Sequence, residues 1–344
     1  MTKKTRYFMA GSAAVLAAGL TTGLIAYYGG GFQALSASTG PTELSYVPAD
    51  ATVVAYADVR AIMDSELRMR LKQAMPGMTD KGQEEFQQHT GIDIERDIDY
   101  VVAAATAGGD VSTTGFAGGG LVVARGRFND TQLQTLAVQH GAREETYKGK
   151  RLLLIDKLAT HDAQDTSETP ENLTSVRKTG VLAFLEPGLV AIGDLGAVKR
   201  AIDAQLSAQS ITLNNEIMDL VSDIERSNNA WAVGRFDILA SQAKLPEQVT
   251  RQIPAVKWFA ATSHINGGIS GSLRAEARDD VAAENLRDVV RGFLALGRMQ
   301  AQADPKVSAM VNSLQLTGTG KTVTLSFSVP SEILELMVPR AQGQ

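Results

Sequence analysis

The chain has 344 residues, of which 44% are hydrophobic and 21% charged, and its formal net charge is −5. This composition is typical of globular proteins, and the length suits two domains of ordinary size. The acidic balance and the lack of a basic stripe argue against nucleic acid as a partner. Cysteine is absent, which excludes disulfides, thiolate metal sites, cysteine nucleophiles and a lipidated cysteine anchor.

An apolar segment near the N-terminus is long enough to cross a membrane. Positions 7–28 carry no charge over 22 residues, and about 20 residues are needed to span the hydrocarbon core. Lys3, Lys4 and Arg6 precede this segment, and the next basic residue is Arg60. The positive-inside rule therefore predicts a single-pass anchor in a bacterial inner membrane, with the N-terminus cytoplasmic and the bulk periplasmic or extracellular. The residues assigned to the anchor are Tyr7, Phe8, Leu16, Leu20, Leu24, Ile25, Tyr27 and Tyr28.

A cleaved signal peptide is the alternative interpretation of the same segment. Ala34, Leu35 and Ser36 offer a small-x-small cleavage site after the apolar run. The apolar region of a signal peptide is usually only about 7–15 residues long, so the length of this run favours an anchor that is retained. Both interpretations place the rest of the chain outside the cytoplasm.

Composition and hydrophobic periodicity divide the chain into successive regions. Glycines at 29–31 and a Ser/Thr/Gly-rich stretch up to Pro41 predict a flexible tether between the membrane and the folded body. The predicted regions are a cytoplasmic tip with the anchor (1–29), the tether (30–44), a first α+β domain (45–208) with a polar excursion (157–179), a connecting helix (209–229) and a second α+β domain (230–340).

The order of predicted elements in the first domain recurs in the second. Positions 55–59 (AYADV) have a counterpart in 232–236 (AVGRF), each a strand of small residues followed by a helix. Positions 100–109 resemble 259–268, with an aromatic residue at the same distance from a double glycine. We therefore expect a tandem repeat, in which an N-terminal transmembrane helix precedes two related α+β domains with mainly antiparallel sheets and helices on one face.

The sequence contains no complete motif for phosphate binding or metal binding. Positions 317–322 (TGTGKT) end like a phosphate-binding loop, but position 315 is Gln where the motif requires Gly. The pattern after this loop predicts a strand rather than a helix, so we expect a hairpin turn. The four histidines are too far apart in sequence to share a helical turn as paired zinc ligands do: His89, His140, His161 and His264.

Three groups of polar residues are weaker candidates for chemistry. His264 lies beside Ser263, and the stretch 161–168 is acidic, so either is a starting point for a hydrolase. The carboxylates at positions 93, 95, 97 and 99 alternate with other residues, as expected of a solvated strand edge. None of the three groups has the spacing of a known site. We therefore assign no catalytic residue, no metal ligand and no cofactor.

These observations favour a non-enzymatic, membrane-anchored envelope protein of scaffold type that binds another protein or associates with itself. A periplasmic ligand-binding or accessory module is an alternative, which a pocket lined by Trp231 or Trp258 would favour. A hydrolase is a further alternative, and it requires convergent polar groups in a cleft.

Short motifs in the first domain resemble those of a known family. Residues 44–51 (LSYVPADA) precede a predicted strand that ends in Asp58, and the sequence GIDI at 91–94 is followed by Asp97. In these motifs, mainly over residues 44–205, the chain resembles a family of uncharacterised bacterial exported proteins catalogued only as a domain of unknown function. The resemblance implies an N-terminal signal or anchor followed by α+β repeats, and it supplies no active-site residue.

Overall fold

The computed structural model describes a folded body that begins at residue 41. The described residues are 41–74, 87, 92–106, 120–139, 141–158, 177–224, 227–236, 256–301 and 305–331. The predicted anchor, most of the tether and most of the polar excursion lie outside them. Among the helices in these ranges, none is both long and apolar enough to cross a bilayer.

The first half of the folded body begins with a 3-10 helix at Thr42–Tyr46 and ends with the longest helix of that half. Its elements in chain order are β1 (Ala51–Asp58), α1 (Val59–Met63), α2 (Glu66–Ala74), α3 (Ile94–Asp97), β2 (Ile98–Thr106), β3 (Leu121–Gly126), α4 (Asp130–Gln139), β4 (Arg143–Tyr147), β5 (Lys150–Leu158), β6 (Arg177–Glu186), β7 (Leu189–Asp194) and α5 (Leu195–Ser207).

A second 3-10 helix at Ile211–Leu213 leads into the other half. Its elements are α6 (Asn215–Ser222), β8 (Ala230–Arg235), β9 (Val256–Ile265), β10 (Gly268–Ala277), α7 (Asp280–Ala301), α8 (Pro305–Asn312), β11 (Gln315–Thr317) and β12 (Thr322–Pro330).

The strands form one continuous sheet rather than the two sheets that we expected. All twelve described strands belong to a single antiparallel sheet with the order β11-β12-β10-β9-β8-β1-β2-β3-β7-β6-β5-β4. The two halves meet where β1 pairs with β8, with Ala55 opposite Ala232. Gly234 permits this close approach, because a Cβ there would lie 2.6 Å from the carbonyl oxygen of Thr52. The prediction of two tandem domains with separate sheets was therefore wrong.

The strand order is nevertheless alike on the two sides of this central pair. Moving outward from β1, the order is β1-β2-β3-β7-β6, and moving outward from β8 it is β8-β9-β10-β12-β11. The hairpin β4–β5 has no counterpart among the described strands of the second half. A duplicated unit gives such an order, and the tandem repeat and its boundaries stay predictions.

Helices cover both faces of the sheet in the first half, which corrects the prediction of helices on one face. The front face, defined by Val54, Val102 and Val123, packs against the first 3-10 helix, α5 and α6. The back face, defined by Ala57 and Val101, packs against residues from α1 to α4. Because both faces are covered, β2 is buried at every position from 101 to 106 and shows no alternation.

Candidate functional site

The chain enters the folded body through the first 3-10 helix, which is packed onto the front face. Leu44 and Val47 are 1% and 0% exposed. The backbone N–H of Ile211 donates to the carbonyl oxygen of Val47 at 2.8 Å, and Pro48 forms an isolated bridge with Ser210. The residues just after the predicted tether are therefore held both by side-chain burial and by backbone hydrogen bonds.

Glu43, in this 3-10 helix, places a fully buried carboxylate against Arg125 of β3. Nε and Nη2 of Arg125 donate to Oε1 of Glu43 at 2.9 and 2.6 Å, and 29% of the Arg125 side chain remains exposed. Arg125 lies on the front face because it follows Leu121 and Val123 at alternate positions of the strand. A buried carboxylate requires such a partner, since an unpaired charge away from water is strongly destabilising.

Three further side chains complete this network, which we call the N-terminal clamp: Glu43, Tyr46, Tyr100, Arg125 and Glu186. The hydroxyl of Tyr46 donates to Oε1 of Glu186 at 2.7 Å. Oε2 of Glu186 lies 3.8 Å from Nη2 of Arg125. Tyr100 lies beside Glu43 and Arg125, and both influence the pKa of its hydroxyl. The clamp thus joins the 3-10 helix to β2, β3 and the end of β6.

Burial and hydrogen bonding fix the protonation states of the clamp. Burial, and next the neighbouring Glu43, raise the pKa of Tyr100 to about 12. Burial and the hydrogen bond to Glu186 raise the pKa of Tyr46 above its ordinary value. Burial, the largest single influence, acts to lower the pKa of Arg125, but the hydrogen bond and the charge of Glu43 together with Tyr100 outweigh it, and the pKa is raised. Near neutral pH the tyrosines are neutral donors and Arg125 is a cation, which suits a structural tie.

An aromatic row continues from the clamp toward the centre of the sheet. The rings of Tyr56 and Trp231 stack with centroids 5.7 Å apart, and those of Tyr56 and Tyr100 are 5.9 Å apart. Asp58, on the same strand as Tyr56, caps α1 by accepting a hydrogen bond from the backbone N–H of Ala61 at 2.9 Å. Burial raises the pKa of the Asp58 carboxyl from 3.8 to about 6. The surroundings of this carboxylate therefore disfavour its negative charge.

The two tryptophans contribute to the core of the sheet rather than to a sugar-binding platform. Both Trp231 and Trp258 are 5% exposed. The Arg235 guanidinium and the Lys257 ammonium lie 5.6 and 5.5 Å from the Trp258 ring centroid, so cations also flank that ring. A small cleft of about 160 Å³ next to α4 includes neither tryptophan; it is lined by Ile92, Asp97, Arg127, Phe128, Asn129, Gln132 and Leu133.

Of the residues named for a hydrolase, the structure describes only Ser263 and His264. His264 is opposite Ser270 in the β9–β10 pair, and its Nδ1 lies 2.5 Å from the carbonyl oxygen of Ser227. His89, His140 and His161 lie outside the described residues, as does the acidic stretch 161–168. Within the part of the chain that the structure describes, no three His, Asp or Glu residues are grouped as metal ligands would be.

The phosphate-loop-like sequence forms the turn between β11 and β12. Gly318 and Gly320 have φ angles of +103° and +54°, and a Cβ on Gly318 would lie 2.4 Å from the carbonyl oxygen of Thr322. These glycines are needed for the backbone of the turn. Thr322 begins a strand, as predicted, so this loop is not followed by a helix N-terminus that would bind phosphate.

The alternating carboxylates at 93–99 have separate structural roles. Asp93 caps α3, accepting a hydrogen bond from the backbone N–H of Glu95 at 2.9 Å. Glu95 pairs with Arg68 of α2, and Asp99 pairs with Arg60 of α1. The predicted single charged edge is therefore replaced by contacts that attach the short helices to the start of β2.

The N-terminal clamp was not found from the sequence. Glu43 and Arg125 are 82 residues apart, and neither belongs to a motif. No signal in the sequence pointed to this pair, because a glutamate in the first turn of a helix is ordinarily exposed.

Comparison with known proteins gives no family for this chain. No protein-family model matches it, and no curated protein and no solved structure matches it either. The resemblance carried by residues 44–51 and 91–97 therefore stays a prediction. Function has to be argued from the residues of the chain itself.

Proposed function

We propose that this protein is a membrane-anchored envelope protein whose folded body lies outside the cytoplasm and acts by contacting other protein chains. The observation that carries the proposal is the uncharged run of 22 residues at positions 7–28, preceded by Lys3, Lys4 and Arg6. Such a segment inserts as a single span with its basic end inside.

The N-terminal clamp supports the part of this proposal in which the folded body is attached to a membrane anchor. A tether transmits any force on the body to the residues that follow it, and residues 42–47 are at the start of the described body. Those residues are held by the buried Glu43–Arg125 ion pair and by the burial of Leu44 and Val47. Attachment of this kind keeps the junction intact when the body binds a partner.

The interaction side is supported by exposed apolar side chains on α7. Four of its large hydrophobic residues are 38–69% exposed: Val289, Phe293, Leu296 and Met299. Contiguous apolar patches of a few hundred Å² on a soluble body commonly mark binding surfaces. A scaffold that displays α7 above the membrane is the function that these features support best.

Extraction of membranes tests the anchor. The full-length chain is expected to stay in the membrane pellet after alkaline carbonate, and protease added to spheroplasts is expected to digest its body. Leu16→Arg combined with Leu20→Arg costs about 5–7 kcal/mol of insertion free energy at the helix centre, and is expected to release the protein. Leu16→Ile with Leu20→Ile is the matched control and stays in the pellet.

The mature N-terminus separates a retained anchor from a cleaved signal peptide. An intact mass that includes residues 7–28 supports the anchor. A mature chain that starts near Ala37 would overturn the anchor while leaving export intact. If carbonate released wild-type protein that still contained residues 7–28, both the retained anchor and the cleaved signal peptide would be overturned.

A further inference from the structure

The apolar stripe of α7 is only partly covered by the part of the chain that the structure describes. Ala282, Ala283 and Leu286 pack against Val323 of β12 and Leu316 of β11. Further along the helix Val289, Leu296 and Met299 are 38%, 45% and 69% exposed. With Gly292 these residues follow a spacing of three, four and three positions, which is the seam of a two-helix coiled coil. We call Val289, Gly292, Leu296 and Met299 the α7 seam.

No described residue packs against Gly292. A Cβ built on Gly292 meets nothing within 4 Å, and glycine in the middle of a helix is destabilising relative to alanine. By contrast, a Cβ on Gly297 of the same helix would touch Val311 at 3.5 Å. A glycine at the centre of an exposed apolar seam allows another helix to approach closely.

We propose that α7 pairs with α7 of a second copy of this chain, in an antiparallel arrangement about a two-fold axis near Leu294. In this register Leu296 lies against Gly292 of the second copy, and Val289 lies against Met299. Each bulky residue therefore meets a smaller one, and the same seam is complementary to itself. A two-fold interface requires this self-complementarity, which an unrelated partner would not.

The exposed seam is small, which determines where pairing is expected. Stable dimers bury about 800 Å² per partner, and a single pair of short helices covers less. Pairing is therefore expected to be weak in dilute solution and to be favoured by the high effective concentration of two chains held in one membrane. The increase in effective concentration rests on the proposed membrane anchor, whereas the pairing of two α7 helices does not. The inference also names a partner for the proposed scaffold, namely a second copy of the same chain.

Disulfide cross-linking of the full-length chain tests the register, because the chain has no native cysteine. Two differently tagged copies, one with Val289→Cys and one with Met299→Cys, are co-expressed, and the membranes are mildly oxidised. Antiparallel pairing brings these positions within the range of about 4.4–6.8 Å between Cα atoms that a disulfide requires. The mixed dimer is expected to exceed either homodimer at least tenfold.

Val281→Cys is the matched control on the same helix. Val281 is 71% exposed, yet in the proposed register its two copies are about 40 Å apart at 1.5 Å per residue. It is expected to form no dimer above background. Equal cross-linking at positions 281, 289 and 299 would show random collision and overturn the proposal, and predominance of homodimers would show parallel pairing and also overturn it.

A bulkier residue at position 292 separates pairing from folding. Gly292→Leu in both copies is expected to reduce the 289–299 cross-link at least tenfold, whereas its urea midpoint of unfolding stays equal or rises because nothing surrounds the position. Arg298→Leu, away from the seam on the same helix, is expected to leave the cross-link unchanged. A cross-link that survives Gly292→Leu would overturn the proposal.

Labelling with a membrane-impermeant maleimide tests whether the α7 seam is covered by the bilayer instead of by a second copy of α7. Cysteines at 289 and 299 that are shielded but never cross-link would point to the bilayer and would overturn pairing. Pairing and anchoring fail independently, because carbonate extraction reports on residues 7–28 and cross-linking reports on α7.

Discussion

Replacing Arg125 with methionine is expected to be the most destabilising single change in the N-terminal clamp. The Glu43 side chain has no exposed surface and receives two hydrogen bonds from Arg125. Without Arg125, the hydroxyl of Thr42 at 3.2 Å is the remaining hydrogen-bond donor to this carboxylate among the described residues. An uncompensated buried charge of this kind lowers the free energy of unfolding by about 3–5 kcal/mol.

Glu43→Gln is the matched control, and it is expected to be milder. The amide oxygen of glutamine still accepts a hydrogen bond from Arg125. Because the Arg125 side chain is 29% exposed, water can hydrate the guanidinium N–H groups that lose their carboxylate partner. Loss of a charged hydrogen bond with a hydrated partner costs about 1–2 kcal/mol. In the double variant neither charge remains, so its loss is expected to be smaller than the sum of the two single losses by about 1–3 kcal/mol.

Urea unfolding followed by tryptophan fluorescence measures these differences, because Trp231 and Trp258 are buried at the centre of the sheet. The expected order of midpoints is wild type, Glu43→Gln, then Arg125→Met. If Arg125→Met were no less stable than Glu43→Gln, the carboxylate would not depend on this arginine. Strict additivity in the double variant would also refute the reasoning, since it would mean that the two groups do not interact.

Three further outcomes follow from the described contacts. The pKa of Asp58 is raised to about 6, so its proton is bound more tightly in the folded state than in the unfolded state. The free energy of unfolding is therefore expected to fall as the pH rises from about 4 to about 6. In urea titrations, Asp58→Asn is expected to be more stable than wild type by about 1–2 kcal/mol at pH 7.5 and equal to it at pH 4. Gly318→Ala is expected to cost about 1–3 kcal/mol and Gly320→Ala less, because only the first Cβ meets backbone; equal thermal midpoints would contradict this. Asn229→Leu leaves the backbone N–H and C=O of Ile265 without their side-chain partner, and is expected to cost about 2–4 kcal/mol. Asn229→Asp is expected to cost less than Asn229→Leu at acidic pH, where a protonated carboxyl keeps both a donor and an acceptor. Its cost is expected to rise with pH, because a buried carboxylate would face the carbonyl oxygen of Ile265.

Local rules explain which elements were predictable from the sequence. Asn129 caps α4 through the backbone N–H of Gln132 at 3.1 Å, and Gly141 follows that helix with a φ of +85°. The turn between β4 and β5 lies at Lys148 and Gly149, which both have positive φ. Each of these features depends on residues a few positions apart, so that sequence pattern alone is informative.

Periodicity was misleading where neighbouring elements share one hydrophobic face. The spacing of Met63 and Leu67 by four positions predicts one helix through both residues, but Asp64 and Ser65 separate α1 from α2. Both Met63 and Leu67 are nevertheless buried in the same cluster on the back face. The apolar spacing of four positions therefore predicted the buried face correctly, but it predicted too long a helix.

The sequence by itself determined an uncharged membrane-length segment, the turns and the two runs of strands in similar order. Only the tertiary structure decided that these runs form one sheet, because the pairing of β1 with β8 depends on two strand edges that meet at Gly234, some 180 residues away from Thr52 in the chain. It also placed Glu43 against Arg125 and left the α7 seam exposed. Contacts between distant residues carry no local pattern, since their energy comes from burial that exists only after the chain has folded.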